Sequence, residues 1–345
     1  MRALTLTATG SLDHLQFQDL PAPDLVAPDQ VRIRVHAAAL NRLDLWVIKG
    51  IPGVDYRFPR VVGSDGAGVV EACGPAVTSV RPGDRVLINP GISCGACPWC
   101  RRGEEPLCPG FQVLGEHRDG TAAEFVVVPE RNLAPVPAGM SWAQAAAFPL
   151  ATLTAWRMLT TRAGLKAGER VLIWGIGGGV ALAALAIARH LGARPIVTSS
   201  SDAKLARARE LGAEVGINHA RQDVAKEIRA LTDRQGVEVV VDSVGQSTWE
   251  QSLRALGRLG RLVTCGGTSG PMVTTDVRKL FWYQWSILGS TMGSTAEFRA
   301  IAARAGEGKL WPEIDRVFPF ERARAAFDRL EAGEQLGKIV IEVAR

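Results

Sequence analysis

The chain has 345 residues, long for one hydrophobic core and suited to two domains. Its 40 Lys and Arg against 35 Asp and Glu leave a net charge of +5, but the two signs are interleaved as on helix faces. No basic stripe with aromatics and no reader motif is present, so nucleic acid is not expected as a partner. The longest apolar run, residues 180–188, has nine residues where a membrane span needs about twenty. With no charged-then-apolar leader at its start, the chain is expected to be cytoplasmic with no membrane partner.

Up to about residue 150, short runs alternate apolar and polar residues, at 31–35, 69–71 and 85–88. Turns such as Arg81-Pro82-Gly83-Asp84 separate them, and the texture predicts a partly open β-barrel. Within this part, four of the six cysteines crowd into Cys94-x-x-Cys97-x-x-Cys100 and Cys108. Four thiolates surround one Zn²⁺ tetrahedrally and leave no open position for substrate, so one structural zinc per chain is predicted. Disulfides between cysteines this close would be strained and lack a secretory context. An iron–sulfur cluster is suggested by the C-x2-C-x2-C run and Cys108-Pro109, but the gap before Cys108 is seven residues where the ferredoxin run has three.

From 169 to about 290 the pattern becomes strand, helix, strand, helix, with strands expected at 171–174, 196–198, 237–241, 261–264 and 286–288 and helices at 179–191 and 202–211. This predicts a doubly wound parallel sheet in an α/β protein. Helices at about 296–307 and 321–332 and a last strand at 338–343 are expected to return to the first domain. The domains read from the sequence are thus 1–150, with the cysteine lobe at 91–110 and completed by about 291–345, and a dinucleotide-binding domain at 151–290.

The first parallel strand runs into Gly175-Ile176-Gly177-Gly178-Gly179-Val180-Ala181, where a helix begins. Small residues at Gly175, Gly178 and Ala181 permit the tight turn, the approach of a pyrophosphate to the backbone and close helix packing, with Gly179 and Val180 opening the helix. About twenty residues on, where an NAD site places an acid, stands Ser199, followed by Ser200, Ser201 and Lys204. These donors and the cation suit a 2′-phosphate, which favours NADPH over NADH. Asp202 is assigned to the N-cap of the next helix. Cys265 and Gly266 follow a strand at the carboxyl edge of the sheet and are expected to contact the cofactor.

These features, with Pro82-Gly83-Asp84-Arg85-Val86, residues 204–213 and the closing Gly337-Lys338-Ile339-Val340, resemble in their order the zinc-containing type of medium-chain dehydrogenase/reductase. This is the alcohol dehydrogenase and quinone oxidoreductase superfamily, and the resemblance covers nearly the whole chain. It implies a GroES-like barrel, a Rossmann domain, a nicotinamide in the cleft between them, and a homodimer or homotetramer formed through the last Rossmann strand near 286–289. The alcohol dehydrogenases hold a second, catalytic zinc with a Cys after an early strand, a His in Gly-His-Glu and a Cys before the Rossmann domain. The matching positions here are Asn41, Ser64 and Leu150, none a good zinc ligand.

Asn41-x-x-Asp44 with Gly63-Ser64-Asp65-Gly66-x-Gly68 is similar to the quinone oxidoreductases and related double-bond reductases. The resemblance implies hydride transfer from NADPH to a small conjugated acceptor, a quinone or enone, without a catalytic metal. Asn41 is expected to donate to or orient the substrate oxygen, Asp44 to hold Asn41 and the adjacent loop, and Thr154 to lie against the nicotinamide; Asp65 completes the catalytic set. Asp44 and Asp65 read equally well as turn caps or as partners of Arg42 and Arg60. Trp46, Ile48, Tyr56 and Phe58 are expected to line the pocket. Two other classes stay open: an alcohol dehydrogenase with a metal on Asp44 and Asp65, and an NADPH-binding protein without turnover.

Overall fold

The strand Gln30–Ala39 organises the first of two compact units, Met1–Leu153 with Gly293–Arg345. The computed structural model describes residues 1–307 and 310–344. Val31, Ile33 and Val35 point inward from this strand at the period of two that a half-buried strand requires. They pack with Val70, Val86 and Val128 from neighbouring strands. The strand pairs antiparallel with Asp65–Cys73, with Phe125–Pro129 and with the C-terminal strand Lys338–Glu342. The sheet continues outward through Arg85–Ile88 to Leu133–Pro135 on one side and through Ile314–Pro319 on the other. Residues after 310 thus complete the barrel; the strand Ile314–Pro319, not foreseen from sequence, runs parallel to Lys338–Glu342.

Register decides what meets at the end of the central strand. Ala39 lies opposite Asp65 on one side and opposite Val340 on the other. Asn41 therefore emerges at the sheet end where Asp65 and Lys338 arrive, one from each flanking strand. The pairing of Gln30–Ala39 with Asp65–Cys73 is irregular between Val35 and Ala37, and Gly68 sits at that step. A Cβ there would stand 2.0 Å from the Arg34 carbonyl oxygen, so only glycine lets the two backbones come this close.

The cysteine lobe is a small excursion of the same unit, made of a two-stranded pairing of Gly91–Ile92 with Gln112–Val113 and a short helix Pro98–Arg101.

The second unit, Thr154–Met292, is a six-stranded parallel sheet. Its order is Val215–Asn218, Arg194–Ser199, Arg170–Ile173, Val237–Val241, Leu256–Thr264 and Ser286–Gly289. The chain winds one way from Arg170–Ile173 and then the other, which puts the topological switch between that strand and Val237–Val241. Leu172, Ile196, Ile217, Val240 and Leu262 share one buried cluster with Trp285, whose Nε1 donates to the Gly257 carbonyl at 2.8 Å. Val215–Asn218 is a sixth strand that sequence reading did not foresee, because four residues carrying a glycine give too weak an alternation. Among the described residues no helix is long and apolar enough to cross a membrane.

Gly68→Ala is expected to lower the unfolding free energy by about 1–3 kcal/mol through backbone displacement. Gly83→Ala, at φ +95 with nothing within 4 Å, should cost only about 1 kcal/mol of conformational strain. Denaturant unfolding of both variants at fixed zinc measures the difference, and a Gly68→Ala protein as stable as the wild type would contradict the close approach.

Candidate active site

Asn41 stands at the N-cap of the helix Arg42–Lys49 with extended backbone. Its backbone N–H donates to Asp44 Oδ2 at 2.6 Å and its carbonyl accepts the Asp44 N–H at 3.0 Å, so Asp44 fastens the first helical turn to residue 41. Ser64 Oγ donates to the other Asp44 oxygen at 3.5 Å. The Asn41 side chain turns to Asp65, with Nδ2 donating to Asp65 Oδ2 at 2.9 Å. The Lys338 ammonium donates to the same oxygen at 2.8 Å and to Asn41 Oδ1 at 2.5 Å. Asp65 Oδ1 accepts the backbone N–H of Leu150 at 2.8 Å, and the Asp65 carbonyl accepts Thr121 Oγ1 at 2.6 Å. All of these side chains except that of Leu150 are polar, and all are buried.

Sequence reasoning brought Asn41, Asp44 and Asp65 together but missed Lys338, which it read only as part of the closing Gly337-Lys338 pair. The signal lies in the register: Val340 opposite Ala39, continued two residues, sets Lys338 against Asn41. Asp65 pairs with Lys338 and not with Arg60; Asp44 binds Asn41 and Ser64 and not Arg42. Of the expected pocket residues, Ile48 is buried and packs in the core with Leu45 and Val47. Tyr56 is half-buried, with its hydroxyl accepting the Ile51 N–H, and Phe58 is exposed.

This donor set does not fit a catalytic zinc. Leu150 offers a backbone N–H and no lone pair on its side chain, and Asn41 and Ser64 are weak oxygen donors. Both Asp65 oxygens already accept hydrogen bonds, and a divalent ion placed there would sit beside the Lys338 ammonium, a repulsion that burial strengthens. Burial pushes the Asp44 carboxyl up to about 7; the Asp65 charge adds to the rise, while the Asn41 N–H and Lys338 oppose it.

The tetrathiolate does fit an ion. The ligand atoms of Cys94, Cys97, Cys100 and Cys108 lie within 4.8 Å of one another, the one such group of metal-binding side chains among the described residues. Sulfur separations of 3.8 Å for Cys94–Cys100 and 3.5 Å for Cys97–Cys100 match the edge of about 3.8 Å that a ZnS4 tetrahedron requires. The N–H groups of Ala96 and Cys97 point at Cys94 Sγ and pull its thiol down to about 6, favouring the thiolate a metal binds. Burial pushes Cys100 up to about 11 when no ion shares its charge.

In the second unit the glycine turn and the serines 199–201 gather at the carboxyl ends of the strands Arg170–Ile173 and Arg194–Ser199. Gly175 has φ +71, and its N–H donates to Thr198 Oγ1 at 3.2 Å, tying the turn to the neighbouring strand. Gly178 is the N-cap of the helix Gly179–His190 and supplies no side-chain cap, so the first-turn N–H groups of Gly179, Val180 and Ala181 are left for an anion. A Cβ on Gly178 would find its nearest atom 3.9 Å away, which leaves room in front of the turn. Ser199 ends the second strand; its Oγ accepts the Ser201 N–H at 3.1 Å and keeps its own hydrogen to donate.

The N-cap of the next helix is Ser201, whose Oγ accepts the Lys204 N–H at 3.4 Å; Asp202, given that role from sequence, is the first helical residue. The serine has the extended backbone a cap needs, and the Asp202 carboxylate is drawn instead to Asn218 at 2.6 Å and Arg221 at 2.9 Å. The Asn218 hydrogen bond, helped by Arg221, holds that carboxyl below its usual range. Asn218 and Arg221, on and just after the unforeseen strand, are thus further polar groups around Ser199, Ser200 and Lys204 that sequence reading missed.

Cys265 follows the strand Leu256–Thr264 at the same edge, and its thiol is pushed up to about 12 by burial with help from Asp242, which keeps it neutral. Beside it the Gly266 carbonyl accepts Thr264 Oγ1 at 3.0 Å. Thr154 is buried, with its hydroxyl donating to Met292 Sδ at 3.8 Å, a weak acceptor.

A family model described as "Zinc-binding dehydrogenase" matches residues 179–307, and one described as "Alcohol dehydrogenase GroES-like domain" matches residues 27–138. The chain is 31% identical over 339 residues to a zinc-type alcohol dehydrogenase-like protein of Schizosaccharomyces pombe, with 96% of each chain covered. It is 30% identical over 352 residues to a crotonyl-CoA reductase of Streptomyces avermitilis, covering 91% of this chain and 79% of that one. Among solved structures, that of an NAD-dependent alcohol dehydrogenase superposes with a TM-score of 0.96 at 45% identity and covers 100% of both chains.

The elevated Asp44 carboxyl gives a pH test. Its folded value, about 7, lies above the ordinary 3.8, so between these limits the folded chain holds a proton that the unfolded chain has lost. The stability this contributes is complete below about pH 4 and is lost as pH rises through about 7. Asp44→Asn keeps an acceptor for the Asn41 N–H and cannot ionise. Over this window the wild type should lose stability relative to Asp44→Asn, at no more than about 1.4 kcal/mol per pH unit. Parallel pH profiles of the two proteins in chemical denaturation would show that Asp44 is ionised at no such cost.

Proposed function

The chain belongs to the medium-chain dehydrogenases/reductases of the alcohol dehydrogenase superfamily, and from that premise we propose that it reduces a conjugated carbonyl compound, a quinone or enone, with NADPH and without a catalytic metal. The observation that carries this reading is the Asn41–Asp65–Lys338 network: Asn41, at one of the positions where the resemblance places a zinc ligand, is held instead by hydrogen bonds to a carboxylate and an ammonium. A bound reduced nicotinamide supplies hydride. When hydride adds to the far end of a conjugated system, the negative charge collects on a distant oxygen, and a buried N–H donor is enough to stabilise it. An unactivated alcohol lacks this outlet and needs a metal or a strong base. Asn41 donates to that oxygen, Asp44 holds its backbone, and Asp65 fixes its amide. The crotonyl-CoA reductase among the relatives acts, by its name, on a conjugated thioester, which supports the substrate class.

For NADPH over NADH the support is the end of the strand Arg194–Ser199, where Ser199, Ser200, Ser201 and Lys204 bring donors and a cation together and the Asp202 carboxylate is paired with Arg221. The names of several relatives as NAD-dependent alcohol dehydrogenases favour a second reading, metal-assisted alcohol oxidation with NAD.

Elemental analysis separates the two readings: one zinc per chain is expected, and a second ion would overturn the metal-free site. Alongside it, NADPH oxidation over quinones, enones and aldehydes should find turnover of a conjugated acceptor. Asn41→Ala should then reduce kcat by about 100-fold, the usual effect of deleting a donor to a developing oxyanion; turnover within about twofold of wild type removes Asn41 from the reaction.

Coenzyme preference has its own test. Ser199→Asp sets a carboxylate against the 2′-phosphate and should shift the NADPH to NADH ratio of kcat/KM by roughly tenfold or more. An unchanged ratio means that this loop does not read the 2′ position.

A further inference from the structure

Lys338 reaches Asn41 from 297 positions away and is 4% exposed. A buried ammonium forfeits its hydration, and a barrel end closes as well on an apolar side chain, so the charge calls for a reason beyond packing. An ammonium only donates, so the Asn41 atom that faces it at 2.5 Å is the amide oxygen; a carboxylate only accepts, so the atom facing Asp65 Oδ2 at 2.9 Å is the nitrogen. Lys338 and Asp65 together therefore fix which way the amide points. One Nδ2 hydrogen goes to Asp65, and the other has only the Ala39 carbonyl at 3.5 Å, too long for a strong bond.

We infer that Lys338 is a positioning residue for the reduction: its ammonium polarises and locks the Asn41 amide, so that the second Nδ2–H donates to the oxygen on which charge collects. This rests on the reading of Asn41 as the substrate-oxygen donor. Positive charge at Oδ1 draws electron density from the nitrogen and makes its remaining N–H a stronger donor. The same ammonium cancels the Asp65 charge, which would otherwise repel the forming oxyanion across the amide. The cationic assistance that a metal ion gives in the zinc-dependent pattern comes here from the last strand of the chain itself.

The test uses the zinc-loaded, full-length protein and Lys338→Met, Lys338→Arg and Lys338→Met/Asp65→Asn. Lys338→Met leaves Asp65 buried and unpaired and should melt earlier. The double variant leaves no unpaired charge and should recover that stability. On whichever substrate the wild type turns over, both Met-containing variants should lose about 10- to 100-fold in kcat, with KM for the coenzyme within about threefold of wild type. Lys338→Arg should recover part of kcat. A double variant that is stable and has wild-type kcat would confine Lys338 to neutralising Asp65 and overturn the inference.

A second readout needs no substrate. The Asn41 side-chain amide pair in a ¹H–¹⁵N spectrum, identified by its loss in Asn41→Ala, should lie away from the free-amide position and move toward it in Lys338→Met/Asp65→Asn. A wild-type pair already at the free position overturns the inference whatever substrate is reduced. Failure to reduce any quinone or enone overturns only the substrate class.

Discussion

The buried ion pair of Lys338 with Asp65 governs the first unit. It joins the chain's last strand to a strand of its first quarter and holds the Asn41 amide between them. Such a pair gains little over an apolar contact of the same shape, because both groups leave water to form it, yet breaking it from one side costs about 3–5 kcal/mol. Its value is in specification. With the pair formed, the strand Lys338–Glu342 has one register against Gln30–Ala39; a slip by one residue would turn Lys338 to the other face and leave Asp65 alone. The interaction that closes the barrel is thus the one that holds the Asn41 amide.

The tetrathiolate and the Asn41 hydrogen-bond network occupy different parts of this unit. The four thiolates belong to a lobe held by a two-residue strand pairing and a four-residue helix, elements too short to persist without a cross-link. An ion held by the four sulfurs would supply folding energy to these short elements. The Asn41 cluster needs no such help, because it sits on the ends of long paired strands whose register is set by a filled core. Rigid elements hold a donor to within the fraction of an ångström that transition-state stabilisation requires.

What could be read in the sequence was whatever depends on near neighbours. The cysteine spacing specifies its own ion, and the glycines between Ile173 and Val180 specify the turn and the bare helix start, because both need only a few consecutive residues. The three-residue step from Asn41 to Asp44 fastens a helix start for the same reason. Lys338 could not be read this way: its role depends on a strand pairing across most of the chain, and the residues that follow it are a short apolar run, Ile339-Val340-Ile341, in which no face stands out. Asn218 and Arg221 were missed because the four-residue strand that delivers them has too little pattern to be seen. The exchange of Ser201 and Asp202 at the helix cap is a finer matter. Both residue types cap helices well, and the choice fell to Asn218 and Arg221, which bind the carboxylate from outside the helix.

The charge of the Asn41 cluster links its stability to its chemistry. With Asp44 protonated, Lys338 and Asp65 balance and the cluster is neutral; with Asp44 ionised, it carries one uncompensated negative charge under the Asn41 backbone. Burial sets the crossover near neutral pH, since it opposes the ionised form more strongly than Lys338 and the Asn41 N–H support it. In the proposed reaction, an oxygen gaining negative charge during hydride addition is disfavoured by that extra charge and favoured by the neutral cluster. The buried carboxyl that weakens the fold as pH rises would therefore weaken oxyanion stabilisation in the same direction, and one proton serves both.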